Sequence, residues 1–244
     1  MNRLCQASQT CTSEGISDGK ICSKCQEILV VQSGIAKLSH VADSVAVTKA
    51  TEQADGKIVK TCACGKVVSE ETIYRIASSK LSIVKATYDG KKKTPSLKIT
   101  DSKGNVLTKY RDYVVTFPKY RTNVGKYVYK ITFKGNYSGT KSLTMTINPA
   151  KTAIKKPAAA KKAVTVKWKK ADKQVTGYQV MVATNKAFTK NVKKACVTKK
   201  KTTSKKMTAL KANKKYYVRV RTYKTVNGKV YYSTWSKARY ITTK

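Results

Sequence analysis

Histidine occurs once in this 244-residue chain, proline four times, phenylalanine three times and tryptophan twice. The single imidazole, His40, leaves little room for histidine acid–base chemistry, and nothing beside it suggests an orienting partner or an oxyanion hole. A Cys–His nucleophilic pair is formally open to it, yet one histidine after a loop usually has no catalytic role. No run approaches the roughly 20 apolar residues of a membrane-spanning helix, so no membrane span is expected. The opening Met1-Asn2-Arg3-Leu4-Cys5-Gln6 has no apolar stretch closed by small residues, so no secretory signal is read there. A cytosolic protein, a processed product and a fragment of a secreted polypeptide would all begin this way.

Acidic residues are the other scarcity, and their distribution divides the chain. Residues 1–80 carry 10 Lys+Arg against 8 Asp+Glu, residues 81–148 carry 14 against 3, and residues 149–244 carry 28 against 1. The formal net charge of +40 is therefore concentrated at the C-terminal end. A module of that charge attracts polyanions by counterion release whatever its fold. With Pro149-Ala150-Lys151 and Lys156-Pro157-Ala158 as punctuation, three modules are expected: 1–80, 81–149 and 150–244.

Six of the seven cysteines, Cys5, Cys11, Cys22, Cys25, Cys62 and Cys64, fall in the first module, where no large apolar core is visible. Cys196 stands apart. A segment this small needs a disulfide or metal staple. Cys11, Cys22, Cys25 and His40 would fill a tetrahedral structural zinc site, the Cys-x-x-Cys half having zinc-knuckle spacing. A disulfide staple and free thiols remain open beside it. A second copy begins near Thr48: "ATEQADGKIVKTCACGKVVS" keeps the Asp-Gly-Lys and the later cysteine pair of "CTSEGISDGKICSKCQEILV" but loses the first cysteine and the histidine. On its own it is incomplete, which leaves two readings: completion by Cys5, or a copy without metal. The two repeats are placed at about 7–40 and 41–80.

The segment "CTSEGISDGKICSKCQEILVVQSGIAKLSH" resembles a short cysteine repeat, C-T-x-x-G-x-x-x-G-x-x-C-x-x-C-G-x-x-L ending in histidine, of large surface proteins of Gram-positive gut bacteria. Gln26 stands where that repeat favours glycine.

Residues 81–149 alternate with period two in Ser96–Thr100, Tyr113–Phe117, Tyr127–Phe133 and Ser142–Ile147, separated by turn-forming clusters and without an amphipathic helix. A β-sandwich follows. Asp89, Asp101 and Asp112 are too dispersed for a calcium site and suit turns and pairing with lysine. Tyr88-Asp89-Gly90, "DYVVTF" and "NVGKYVYKITFKGNYSGT" resemble a bacterial immunoglobulin-like domain known by its Tyr-Asp-Gly motif.

Residues 150–244 resemble a fibronectin type III domain. Trp168 matches its buried tryptophan, Tyr178 the aromatic that opens the third strand, and Leu210 to Tyr216 the spacing of a tyrosine corner, with Ala212 in the place of the usual proline. The fold class expected is mainly β: tandem immunoglobulin-like and fibronectin type III-like sandwiches after a small cysteine-rich hairpin region. In "NKKYYVRVRTYKTVNGKVYYSTW" one strand face, Tyr216, Val218, Val220 and Thr222, belongs to the core, and Asn227-Gly228 reverses the chain. The other face, Tyr217, Arg219, Arg221 and Tyr223, is the candidate surface for a polyanion or glycan. The resemblance implies a non-catalytic, extracellular or wall-displayed spacer or adhesion region, monomeric within a larger surface protein. Its expected partners are an anionic cell-wall polymer, a glycan or a host surface protein, with nucleic acid bound only non-specifically.

Overall fold

The computed structural model describes residues 2–171 and 173–244, which form 22 strands and no helix. The expected all-β architecture is the one observed. Two compact units are present: Met1–Ser78 with Ile99–Val114 and Thr132–Gly139, and Ser79–Lys98 with Val115–Ile131 and Thr140–Lys244. Residues 81–149 contribute segments to both.

The cysteine region folds as two three-stranded antiparallel sheets of the same design. In one, Gly19–Ile21 lies between Asn2–Leu4 and Ile28–Val30; in the other, Gly56–Thr61 lies between Ser44–Thr48 and Val67–Ile73. The Asp-Gly-Lys of each repeat opens the central strand because the backbone there is crowded. A Cβ on Gly56 would overlap the Thr48 carbonyl oxygen and stand 2.5 Å from the Ala50 nitrogen. Each central strand runs straight into the cysteine turn, Ile21 into Cys22 and Thr61 into Cys62. The second turn closes with Gly65 N–H donating to the Cys62 carbonyl at 2.8 Å, and Gly65 sits at φ +87°. The first is one residue longer: Gln26, at φ 60°, donates to the Cys22 carbonyl at 3.1 Å. Gln26 thus takes a left-handed conformation, at a steric cost that glycine would avoid.

These sheets bury little. Between residues 2 and 72, the only fully buried residues with a side chain are Ala50 and Cys62, while Val45, Val47, Val67 and Val68 are exposed.

The four-stranded sheet runs Lys85–Thr87, Thr140–Asn148, Gly125–Phe133, Tyr113–Thr116, its first pair parallel. Period-two alternation along Gly125–Phe133 buries Tyr129, Ile131 and Phe133. In the second unit Tyr129 packs with Leu81, Met145 and Ile147, and Tyr88 lies against that cluster. The three aspartates serve as turn anchors. Asp101 accepts from Lys103 N–H, Asn105 N–H and Asn105 Nδ2, all at 2.9 Å, and Asp89 accepts from Lys91 N–H and Lys93 Nζ. Asp112 takes Arg111 rather than a lysine, together with Thr108 N–H at 2.6 Å.

The C-terminal sandwich stacks Ala158–Ala160, Ala163–Lys167 and Ser204–Met207 on a sheet of Lys193–Val197, Gly177–Ala183, Lys215–Val226 and Lys229–Tyr232, with Arg239–Thr242 also paired to Lys215–Val226. Its core holds Val164, Val166, Trp168, Tyr178, Val180, Val182, Val218 and Val220, all fully buried. Tyr216 Oη accepts the Lys211 N–H at 3.0 Å, the tyrosine corner expected from the Leu210 spacing. Asn227 and Gly228, at φ 46° and 73°, form the two-residue hairpin loop between Val226 and Lys229.

Candidate metal centre and arginine–aromatic face

Backbone pairing carries the chain from one cysteine turn to the other. Leu38 N–H donates to the Thr10 carbonyl and Asp43 N–H to the Thr61 carbonyl, both at 2.9 Å. The segment between them passes Cys11 at one end and the Cys62 turn at the other, and it carries His40. The result is a group of four donors, Cys11, His40, Cys62 and Cys64, whose ligand atoms all lie within 4.8 Å of one another. Cys11 Sγ is 3.6 Å from Cys62 Sγ, and Cys64 Sγ is 3.3 Å from His40 Nδ1. Around a tetrahedral zinc ion, with Zn–S about 2.3 Å and Zn–N about 2.0 Å, neighbouring donors stand about 3.5–3.8 Å apart. The covalent S–S length is about 2.05 Å. The group therefore has the dimensions of a metal cage.

Its electrostatics are those of thiols in want of a cation. The Cys62 thiol is drawn down to about 6, first by the Cys64 backbone N–H and then by His40. Hydrogen bonding to Cys64 and Cys62 pushes Cys11 up to about 11. One thiolate forms easily, and the hydrogen bonds of the Cys11 thiol to its neighbours, more than burial or charge repulsion, keep that thiol protonated. Four donors converging on one point leave no open position for water, so a metal here would be structural rather than catalytic.

Of the four residues the sequence grouped, the structure brings together Cys11 and His40. Cys22 and Cys25 lie outside the cluster, in their own turn, where the Cys25 backbone N–H lowers the Cys22 thiol. The second cysteine pair is completed by Cys11 and His40, not by Cys5, which is exposed. Cys196 is also exposed, within reach of Gln179 Nε2 at 3.7 Å.

Tyr217, Arg219, Arg221 and Tyr223 share one face of Lys215–Val226, as alternation requires, but that face is largely covered. Arg219 lies between Phe188 and Trp235, 3.9 and 4.4 Å from the ring centroids. Arg221 lies between Tyr232 and Trp235 at 3.8 and 4.4 Å, and gives two hydrogen bonds to Gln179 Oε1. Burial lowers both guanidinium pKa values, and for Arg219 repulsion from Arg221 adds to it. Tyr223 is 8% exposed, and Tyr217 packs near Tyr240. Ser233 and Ser236 hold the covering segment by accepting Thr222 N–H and Val220 N–H, both at 3.1 Å. The alternation identified the outward face; it carried no sign of Phe188, Tyr232 and Trp235 as its cover. Exposed positive charge is spread over the sandwich, with one run of it on Lys193, Lys194, Lys199, Lys200, Lys201, Lys205 and Lys206, along two edge strands and the turn joining them.

Comparison with known proteins bears on this sandwich. A family model described as fibronectin type III domain matches residues 149–240. None of the curated proteins matches the chain. Among solved structures the chain is similar to a crystal structure of the FN1–FN3 domains of chicken CNTN1, at 18% identity, covering 78% of this chain and 75% of that one with a TM-score of 0.32. The matched residues include the buried Trp168, Tyr178 near the start of its strand and the Leu210–Tyr216 corner.

Proposed function

We propose that this chain is a non-catalytic spacer and adhesion region of a secreted or cell-surface protein, whose C-terminal sandwich contacts anionic wall polymers or acidic glycans. The fibronectin type III match supports a modular, non-catalytic role, and no catalytic family is indicated. The resemblance of the cysteine repeats and of residues 81–149 to modules of gut-bacterial surface proteins supports the location. The observation that carries the ligand class is the seven exposed lysines between 193 and 206, with no acidic residue in that interval. Lysines on edge strands also discourage strand-to-strand aggregation. A patch this dense, with no acidic residue among its lysines, goes further, because each lysine that meets a phosphate or sulfate releases a condensed counterion. A structural zinc ion at the four-donor cluster completes the reading, as a brace without chemistry.

The test is binding of the full chain to teichoic acid, a sulfated glycan and single-stranded DNA across a salt series. Affinity for all three is expected to fall steeply with log salt, with teichoic acid or the glycan held best at physiological ionic strength. Replacing the seven lysines by glutamine should weaken binding to all three and flatten its salt dependence, since fewer counterions are released, whereas Tyr217→Ser should change it little. Unchanged binding by the lysine-depleted variant would refute the assignment of the surface.

A further inference from the structure

We propose that the metal of the N-terminal region is a single zinc(II) ion shared across the sequence repeats, with Cys11 and His40 from the first repeat and Cys62 and Cys64 from the second. This rests on the structural-zinc element of the proposed function and assigns its ligands, which are not those that repeat spacing suggests.

Three observations carry it. The first is convergence: three sulfurs and a ring nitrogen lie within 4.8 Å of one another, and the Cys–Cys separation of 3.6 Å and the Cys–His separation of 3.3 Å are close to the edges, about 3.5–3.8 Å, of a tetrahedron around one ion. Three thiolates and one imidazole are the donor set that selects zinc over calcium, magnesium or manganese. The second is correspondence between the two sheets. Thr10 Oγ1 accepts Ser13 N–H, and Thr51 Oγ1 accepts Ala54 N–H, so the same turn occurs twice; Cys11 follows Thr10 in the first, and Glu52 follows Thr51 in the second. The second repeat has thus kept the two-cysteine turn and lost the cysteine that precedes it. The first repeat supplies both Cys11 and His40 to that turn. The third is the lack of a core: between residues 2 and 72 the only buried residues with a side chain are Ala50 and Cys62, so apolar burial does little to hold the two sheets, and one of those two side chains, Cys62, belongs to the donor group. In small modules of this kind metal binding supplies the folding free energy that burial does not.

Zinc stoichiometry by mass spectrometry under native conditions, together with cobalt(II) spectroscopy, tests the assignment on the full chain purified in reductant. One zinc per chain is expected, lost in Cys11→Ser, Cys62→Ser and Cys64→Ser, and retained in the Cys22→Ser/Cys25→Ser double variant. The cobalt form should show the ligand-field and sulfur charge-transfer bands of a tetrahedral three-sulfur, one-nitrogen site. His40→Cys should keep one metal and shift those bands toward a four-sulfur site, which a misfolded chain would not do. Metal that follows Cys22 and Cys25 overturns the shared ligand set while leaving a zinc brace standing. A chain that binds no zinc or cobalt overturns both, and neither outcome touches the polyanion reading.

Discussion

Tyr178 offers a measurable contrast between a buried and an accessible hydroxyl. Its side chain is fully buried, with its ring centroid 5.1 Å from that of Trp168. The hydroxyl accepts Ala171 N–H at 2.8 Å and donates to the Lys200 carbonyl at 3.1 Å. Tyr178→Phe keeps the ring and its stacking and takes a partner from the N–H of half-buried Ala171 and from the Lys200 carbonyl, both facing the buried ring. Unsatisfied groups of this kind cost about 1–3 kcal/mol each, and partial relaxation gives about 2–3 kcal/mol in all. Tyr216→Phe removes one bond, to the N–H of exposed Lys211, where water can take its place, and should cost about 1 kcal/mol. For a domain the length of residues 149–240, each kcal/mol lowers Tm by about 5 °C, so the expected drops are about 10–15 °C and about 5 °C. Both tryptophans of the chain, Trp168 and Trp235, lie in this sandwich, so intrinsic fluorescence during a thermal melt reads its unfolding selectively. If Tyr178→Phe melts with the wild type, or if Tyr216→Phe is the more damaging, the hydroxyl of Tyr178 does not seal the structure as described.

Arg221→Lys should destabilise the same sandwich by about 1–2 kcal/mol, since lysine cannot both stack between Tyr232 and Trp235 and bond twice to Gln179; an unchanged Trp235 emission and melting curve would count against the stack. Gly56→Ala places a methyl against Thr48 and Ala50, and should cost at least about 1–3 kcal/mol, seen as lost amide-exchange protection along Ser44–Thr48. Burial alone would raise the carboxyl of Asp112, but the Arg111 guanidinium and the Thr108 N–H outweigh it and hold it below the usual range. Its stabilising contribution is therefore present above the unfolded value near pH 4 and lost as pH falls through the lower folded one. The protection factor of the Thr108 amide should fall as pH drops below about 4, and Asp112→Asn should remove that pH dependence.

Features set by local spacing were legible in the sequence. Leu210 and Tyr216 stand six positions apart because the corner closes within one turn, and Asn227-Gly228 tolerates the left-handed angles that a tight hairpin needs. Alternation sorted Val218 and Val220 from Arg219 and Arg221 correctly. It said nothing of what lies over the arginines, because Phe188 arrives from a distant loop and Trp235 from beyond the hairpin. The four-donor cluster escaped for a similar reason. Cys22 and Cys25 have knuckle spacing and lie nearer to Cys11 in sequence, yet partners were chosen by two backbone bonds, at Thr10 and Thr61, that bring together residues far apart in the chain. The acidic residues of the middle segment were read rightly as turn formers, and only the arginine partner of Asp112 was unforeseen.

The approach of Cys11 to Cys62 also has a mechanical meaning. The two residues are 51 positions apart and 3.6 Å from sulfur to sulfur. With a metal joining them, tension applied along the polypeptide would bypass everything in between and load metal–thiolate bonds instead. Once those bonds gave way, the shielded stretch could pay out roughly 170–180 Å of extended chain. A chain braced this way would carry a reserve of length that a bound metal holds reeled in, and a chelator applied during single-molecule stretching would release it.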